Sequence, residues 1–261
     1  MQIRILAVGD VVGPSASALL SKKLWSLRNE YGVHMAVVNA ENACVGNGLD
    51  APTAKALFSG GADVLTSGNH IWHKKDIKDY LRQNDHLLRP CNYPPECPGS
   101  GYTTVNIDGY RVLVMNVLGT IFMEALECPF RSVEKILRRE EGSYDLALLD
   151  VHAEATSEKL AIARYFDGKI NVVWGTHTHT QTSDTRVLPG GTGFITDLGM
   201  TGPDNSILGI KNEIIIEKLT QKMPVRFEIA DGNIEMDAAI FTVDTDSGKT
   251  LSVEGIRRQL N

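Results

Sequence analysis

Apolar residues fall along this chain in short runs separated by longer stretches of helical spacing. Ile3–Val8, Met35–Asn39, Val64–Thr66, Arg111–Val117, Leu146–Val151, Ile170–Trp174 and Gly193–Thr196 are β-branched runs of strand length. They are apolar almost without interruption, which suits strands covered on both faces. Between them, Ser15–Tyr31 carries Leu20, Leu24, Leu27 and Tyr31 at spacings of four, three and four, the signature of an amphipathic helix. Ala155–Phe166 and Ser132–Arg139 read the same way. Strands alternating with helices predict an α/β layered fold.

The last third changes character. Pro224–Ala230 and Ile234–Val243 read as strands around Asp231-Gly232-Asn233, a hairpin turn signal, and Ser252–Gln259 reads as a short closing helix. No Pro-, Gly- or Ser-rich linker and no repeat divides the chain, so a single domain over residues 1–261 is expected. Arg89–Gly101 is a long turn-rich loop of the kind that often forms a lid. It predicts a loop-rich, cap-like segment around 89–130 that walls a pocket.

Composition narrows the function classes. Of 261 residues, 43% are hydrophobic and 22% charged, an ordinary globular balance. Net charge is −6, and the basic residues occur as scattered pairs such as Lys22-Lys23 and Arg138-Arg139. A nucleic-acid duplex is therefore not a predicted partner. A small anion can still bind where bound cations set the local field. No apolar run is long enough for a bilayer, and the N-terminus leads straight into a strand without the zones of a signal peptide. A cytoplasmic protein is the expectation. The four cysteines, Cys44, Cys91, Cys97 and Cys128, form no C-x-x-C pair. In a chain of this size they are expected to be thiols rather than disulfides.

The chemistry lies directly after the predicted strands, where open α/β sheets bind ligands. These segments are Gly9-Asp10-Val11-Val12-Gly13, Asn39-Ala40-Glu41-Asn42, Ser67-Gly68-Asn69-His70, Asp150-Val151-His152-Ala153-Glu154 and Gly175-Thr176-His177-Thr178-His179. Taken singly, each has a structural explanation. An Asp after a strand caps a turn, Gly-Asn-His makes a tight turn, and Glu154 and Glu158 suit a helix start. Five strand ends carrying metal-ligand residue types are hard to obtain from structural needs alone. His177 and His179 are two apart, so in an extended segment both face the same way. Oxygen and imidazole donors without thiolate suit Mn, Fe, Zn, Ni or Co.

Gly9-Asp10-x-x-Gly13, Glu41-Asn42, Gly68-Asn69-His70, Asp150-x-His152 and Gly175-Thr-His177-Thr-His179 resemble the calcineurin-like metallophosphoesterase superfamily. His152-Ala-Glu-Ala-Thr-Ser-Glu-Lys159, Asp197-Leu-Gly-Met-Thr-Gly202 and Arg89-Pro-Cys-Asn-Tyr-Pro94 are similar to its bacterial YmdB-like branch. The resemblance implies a four-layer α/β/β/α sandwich with mixed sheets and two metal ions per chain. Fe or Mn stand first, with Zn, Ni, Co or Mg as alternatives. It further implies that Asp10, Glu41, Asn42 and His179 hold one ion. Glu41 would bridge to the second, completed by Asn69, His152 and His177, and His70 would be the acid near the leaving group. Most of the superfamily has Asp-x-His at the first motif, whereas this chain has Asp10-Val11-Val12, with Glu41-Asn42 compensating as in the YmdB-like branch. His73 stands where Asp is expected, which suits a supporting role or a helix cap, with an extra ligand as the alternative.

The implied activity is hydrolysis of small phosphodiesters, 2′,3′-cyclic nucleotides among them, through attack by a hydroxide bridging the metals. The implied assembly is a homo-oligomer. Two other readings stay open: a phosphomonoesterase or nucleotidase using the same metals, and a metal-binding regulatory protein without turnover.

Overall fold

The computed structural model describes residues 1–261. In chain order the elements are β1 (Gln2–Val8), β2 (Asp10–Val11), α1 (Gly13–Tyr31), β3 (Met35–Asn39), α2 (Ala51–Gly60), β4 (Val64–Thr66), α3 (Ile77–Gln83), β5 (Tyr102–Ile107) and β6 (Tyr110–Leu118). They continue as α4 (Pro129–Arg139), β7 (Leu146–His152), α5 (Thr156–Tyr165), β8 (Val172–Thr176), β9 (Arg186–Val187), β10 (Gly193–Ile195), β11 (Met200–Pro203), α6 (Asn212–Gln221), β12 (Ile234–Asp244) and β13 (Thr250–Gln259).

The strands form two mixed sheets. One has seven strands in the order β2-β11-β12-β1-β3-β4, with β13 added on β12, and the other has six in the order β5-β6-β7-β8-β10-β9. Period-two side-chain alternation explains the layering. In β1, Ile3, Ile5 and Ala7 point into a core shared with Val112, Leu148 and Trp174 of the second sheet. Leu6 and Val8 point the other way, onto Leu20 and Leu24 of α1 and Leu57 of α2. In β7, Leu146 and Leu148 face the first sheet, while Ala147, Leu149 and Val151 pack with Val133 of α4 and Ile162 of α5. Three apolar layers between four layers of structure make the α/β/β/α sandwich. The near-continuous apolar runs follow because every central strand is covered twice.

Parallel pairing of β1, β3 and β4, and of β6, β7, β8 and β10, brings their carboxyl ends to one rim. No helix is long and apolar enough to cross a membrane. All four cysteines are free thiols, as expected.

Two C-terminal expectations are corrected. Ser252–Gln259 is not a helix but most of β13, antiparallel to β12. Val253, Ile256 and Leu260 do fall at helical spacing, yet the long β12 offers an open edge, and pairing along it outweighs the local pattern. Pro224–Ala230 is not a strand either; only Ile229 makes an isolated bridge, to Ile210. β12 pairs instead with β1, β11 and β13, so Asp231-Gly232-Asn233 turns into the sheet without closing a hairpin.

Trp174 is among the largest fully buried side chains, in the layer between the sheets with its ring centroid 6.1 Å from that of Phe241. Trp174→Ala is expected to cost about 3–5 kcal/mol in urea unfolding, the usual cost of deleting a buried indole.

Candidate metal centre

The predicted donors do come together at the common rim. Asp10 follows β1, Glu41 and Asn42 follow β3, Asn69 and His70 follow β4, His152 ends β7, and His177 and His179 follow β8. Asp10, Glu41 and His152 are fully buried and Asn42 nearly so.

Glu41 is central. Its Oε1 lies 3.0 Å from His152 Nε2, and the ligand atoms of Glu41, His152 and His177 lie within 4.8 Å of one another. Asn69 Oδ1 is 3.2 Å from His152 Nε2, and His177 Nδ1 is 3.1 Å from the same atom. On the other side, Asn42 Nδ2 donates to Glu41 Oε1 at 3.2 Å and is 3.2 Å from His179 Nε2. His179 Nε2 stands 3.7 Å from Asp10 Oδ1. Two donor groups therefore share Glu41.

The far nitrogen of each imidazole lies beside an oxygen. Thr176 Oγ1 gives its single proton to Asp150 Oδ1 at 2.7 Å, so at 2.9 Å it accepts from His152 Nδ1–H. His179 Nδ1 donates to Leu208 O at 3.2 Å, and His177 Nε2 lies 3.2 Å from Glu154 Oε2. The remaining nitrogens, His152 Nε2, His177 Nδ1 and His179 Nε2, all turn inward. Outer oxygens that fix the imidazole tautomer in this way are what metal-binding histidines require.

The carboxylates of the cluster are only partly compensated. Asp10 Oδ1 is buried with no hydrogen-bond partner. Burial pushes the Asp10 carboxyl up, and burial also holds Asp150 up at about 6. Burial works against both charges of the Glu41–His152 pair, yet their mutual attraction wins. Glu41 is held well below the usual carboxylate range, and His152 is raised to about 9. Burial, with the charge on His152 beside it, drops His177 to about 3. A proton on His152 thus sits where a divalent ion would otherwise neutralise Glu41, and the donor set fits metal ions.

His70 stands at the edge. Its Nδ1 is 2.8 Å from Asn42 Oδ1, its backbone N–H donates to Glu41 Oε2 at 3.0 Å, and its side chain is partly exposed. His73 is exposed and lies beside His70, ring centroids 4.7 Å apart, rather than among the donors.

Three expectations are adjusted. His177 and His179 do not lie in an extended segment: β8 ends at Thr176, and both have positive φ, 99° and 58°. They converge through a turn. The cavity beside the donors, about 370 Å³, has no wall from 89–130; Ile207, Leu208, Ile210, Ile215, Phe227 and Ile229 line it instead. Glu154 and Glu158 do more than begin a helix. Glu154 braces His177, while Glu158 accepts from the backbone N–H groups of Thr120 and Ile121.

Sequence reasoning gave no part to Asn39 and Thr66, which both donate to Asp150 Oδ2, at 3.2 and 2.5 Å, and tie the two sheets together behind the donors. The signal was present. Asn39 and Glu41, and Asp150 and His152, are each two apart, so one strand face carries a support and a donor.

Gly68 faces this cluster so closely that a Cβ there would collide with the His152 ring and Glu41 Oε2. Gly68→Ala is expected to abolish stoichiometric metal uptake, read by elemental analysis, while the far-UV circular dichroism keeps its α/β shape.

Comparison with known proteins gives the family and the fold. The chain is 40% identical over 254 residues to the 2′,3′-cyclic-nucleotide 2′-phosphodiesterase of Bacillus subtilis (strain 168), covering 97% of this chain and 96% of that one. It superposes on the crystal structure of a novel phosphatase from Mycoplasma pneumoniae with a TM-score of 0.92 at 30% identity, covering 99% of this chain and 94% of that one. A more distant likeness in fold, TM-score 0.58 at 12% identity, covers 99% of this chain and 54% of a 5′-nucleotidase precursor from Thermus thermophilus. The model of the family described as YmdB-like protein matches residues 6–256, and the chain belongs to that family.

Proposed function

We propose that this protein is a metal-dependent phosphodiesterase of small phosphodiesters, 2′,3′-cyclic nucleotides first among them, with two metal ions per chain. One observation carries the reading: three imidazoles whose outer nitrogens each lie within 3.2 Å of an oxygen turn their inner nitrogens toward two buried carboxylates, one of which has an orphaned oxygen. Asp10, Glu41, Asn42 and His179 form one donor set, and Glu41, Asn69, His152 and His177 the other. Asn42 joins the first by a half-turn of its amide, which exchanges Nδ2 for Oδ1 at the point facing His179. Oxygen and nitrogen donors without thiolate suit Fe, Mn, Zn, Ni or Co, and the family resemblance puts Fe or Mn first, with Mg as a further alternative. When bound, such ions polarise a phosphoryl oxygen and acidify a coordinated water.

The chain's own residues do the rest. The Asn69 amide N–H₂, free once its oxygen is committed, donates to a phosphoryl oxygen as charge builds. His70 lines the cavity, and with the Asn42 amide so turned its N–H₂ donates to His70 Nδ1, which leaves Nε2–H to protonate the departing oxygen. The apolar wall accepts the flat base of a nucleotide, with the half-exposed Phe227 ring as a stacking surface. The name of the Bacillus subtilis relative supports cyclic nucleotides over other diesters. The protein is proposed to work in the cytoplasm as a homo-oligomer.

The description of the Mycoplasma pneumoniae relative as a phosphatase favours phosphomonoester hydrolysis as the second reading. Comparing a diester and a monoester of the same chromophore separates the two: faster diester turnover supports the proposal, and monoester preference sinks it. Purified protein is expected to carry two metal ions per chain. A regulatory protein without turnover would bind them and hydrolyse neither ester. His70→Ala is expected to retain both ions and lose about 10²–10⁴-fold in kcat on substrates with poor leaving groups. Unchanged kcat would remove the acid role. Phe227→Ala is expected to raise KM for a cyclic nucleotide by an amount set by the lost stacking, about 1–3 kcal/mol, and to leave small chromogenic diesters nearly unaffected.

A further inference from the structure

Lys159 on α5 and Asp197 after β10 are both fully buried, and Lys159 Nζ donates to Asp197 Oδ2 at 2.5 Å. Neither residue has a part in the proposed chemistry, and a buried ion pair is poor evidence for stability on its own. What the carboxylate touches is more informative. The same Oδ2 accepts from Thr178 N at 3.2 Å and from Thr178 Oγ1 at 2.7 Å, and Thr178 is the residue between His177 and His179. Asp197 Oδ1 accepts from Gly199 N at 2.9 Å, and Gly199 O in turn accepts from Asp10 N at 3.2 Å. The backbone of Asp197 holds the far end of the histidine turn, its carbonyl accepting from Thr182 N at 3.1 Å. One carboxylate thus reaches three of the donors through one or two bonds each.

Those donors need external restraint. His177 and His179 both sit at positive φ, and Gly199 is left-handed at 88°. Backbone of this kind persists only where its surroundings over-determine it. Gly175, one turn earlier, lies so close to Lys159 Cδ and Thr196 O that a side chain there would push the pair and the turn apart.

We propose that the Lys159–Asp197 pair is a positioning device for the metal centre. Asp197 fixes the His177-Thr178-His179 turn and the Asp10 backbone, and Lys159 holds Asp197 in place within the core. The inference rests on the metal-centre reading above. It assigns the pair to metal affinity, where a structural ion pair would affect folding alone.

Co(II) binding to metal-free protein tests it, read by visible absorption and by competition with a chromophoric chelator, alongside thermal melting in excess chelator. Asp197→Asn keeps the shape and removes the charge. It is expected to weaken the more weakly bound Co(II) equivalent about 10–100-fold, the usual effect of losing an outer partner of a metal ligand, and to alter the visible spectrum. Thr178→Val retains the ion pair and removes only the hydroxyl contact, so it decides the matter where Asp197→Asn does not fold. Its expected weakening is several-fold. Co(II) affinities and spectrum equal to those of the unsubstituted protein, with only the melting temperature lowered, would overturn the inference while leaving the metal centre standing. An unsubstituted protein that takes up no Co(II) would overturn both.

Discussion

Two carboxylates without water organise this molecule. Asp10 and Glu41 are fully buried at the rim where two sheets meet, and ionised groups in such a place need compensating charge. Much of the rim answers that need. His152 supplies one positive charge to Glu41, the backbone N–H groups of His70 and His177 donate to Glu41 and Asp10, and Asp10 Oδ1 is left over. The sandwich supplies the low-dielectric walls, and bound cations of the kind proposed would supply the missing charge.

The support is arranged in depth. Asp150 stands behind His152 and receives the hydroxyls of Thr66 and Thr176 and the amide of Asn39, contacts that come from both sheets. Asp150 therefore sets the tautomer of His152 through Thr176 and also joins the layers on which the donors stand. Stability and geometry share the same hydrogen bonds here. That explains how a site made from five separate strand ends holds its shape without a continuous scaffold beneath it.

The layered fold was legible because β1, β3, β6 and β7 are apolar on both faces, and because α1 carries its leucines at helical spacing. The placement of the donors was legible because each lies at or just beyond the end of a predicted strand. β13 was not, since Val253, Ile256 and Leu260 mimic a helix and only the open edge of β12 decides otherwise. Nor were the Lys159–Asp197 contact or the conformation of the histidine turn, which depend on residues far apart in sequence. The cavity wall was misplaced for a related reason. Turn-rich Arg89–Gly101 looks like a lid, yet Asn92 spends its amide on Leu118 and Glu127 and ties that loop to its own neighbourhood.

The wall from Ile207 to Ile229 has a different origin from everything it faces. The donors come from strand ends and, apart from His179, which is bonded to Leu208 O, take their support from outside the wall, whereas the wall belongs to one continuous stretch that includes α6, a helix with no buried residue. On the proposed function, reaction and recognition would then be written largely in separate parts of the chain. Side-chain substitutions in that stretch away from Leu208, whose carbonyl holds His179, would then change which ester fits while leaving the donors in place, so the fold could acquire new substrates while its chemistry stays constant.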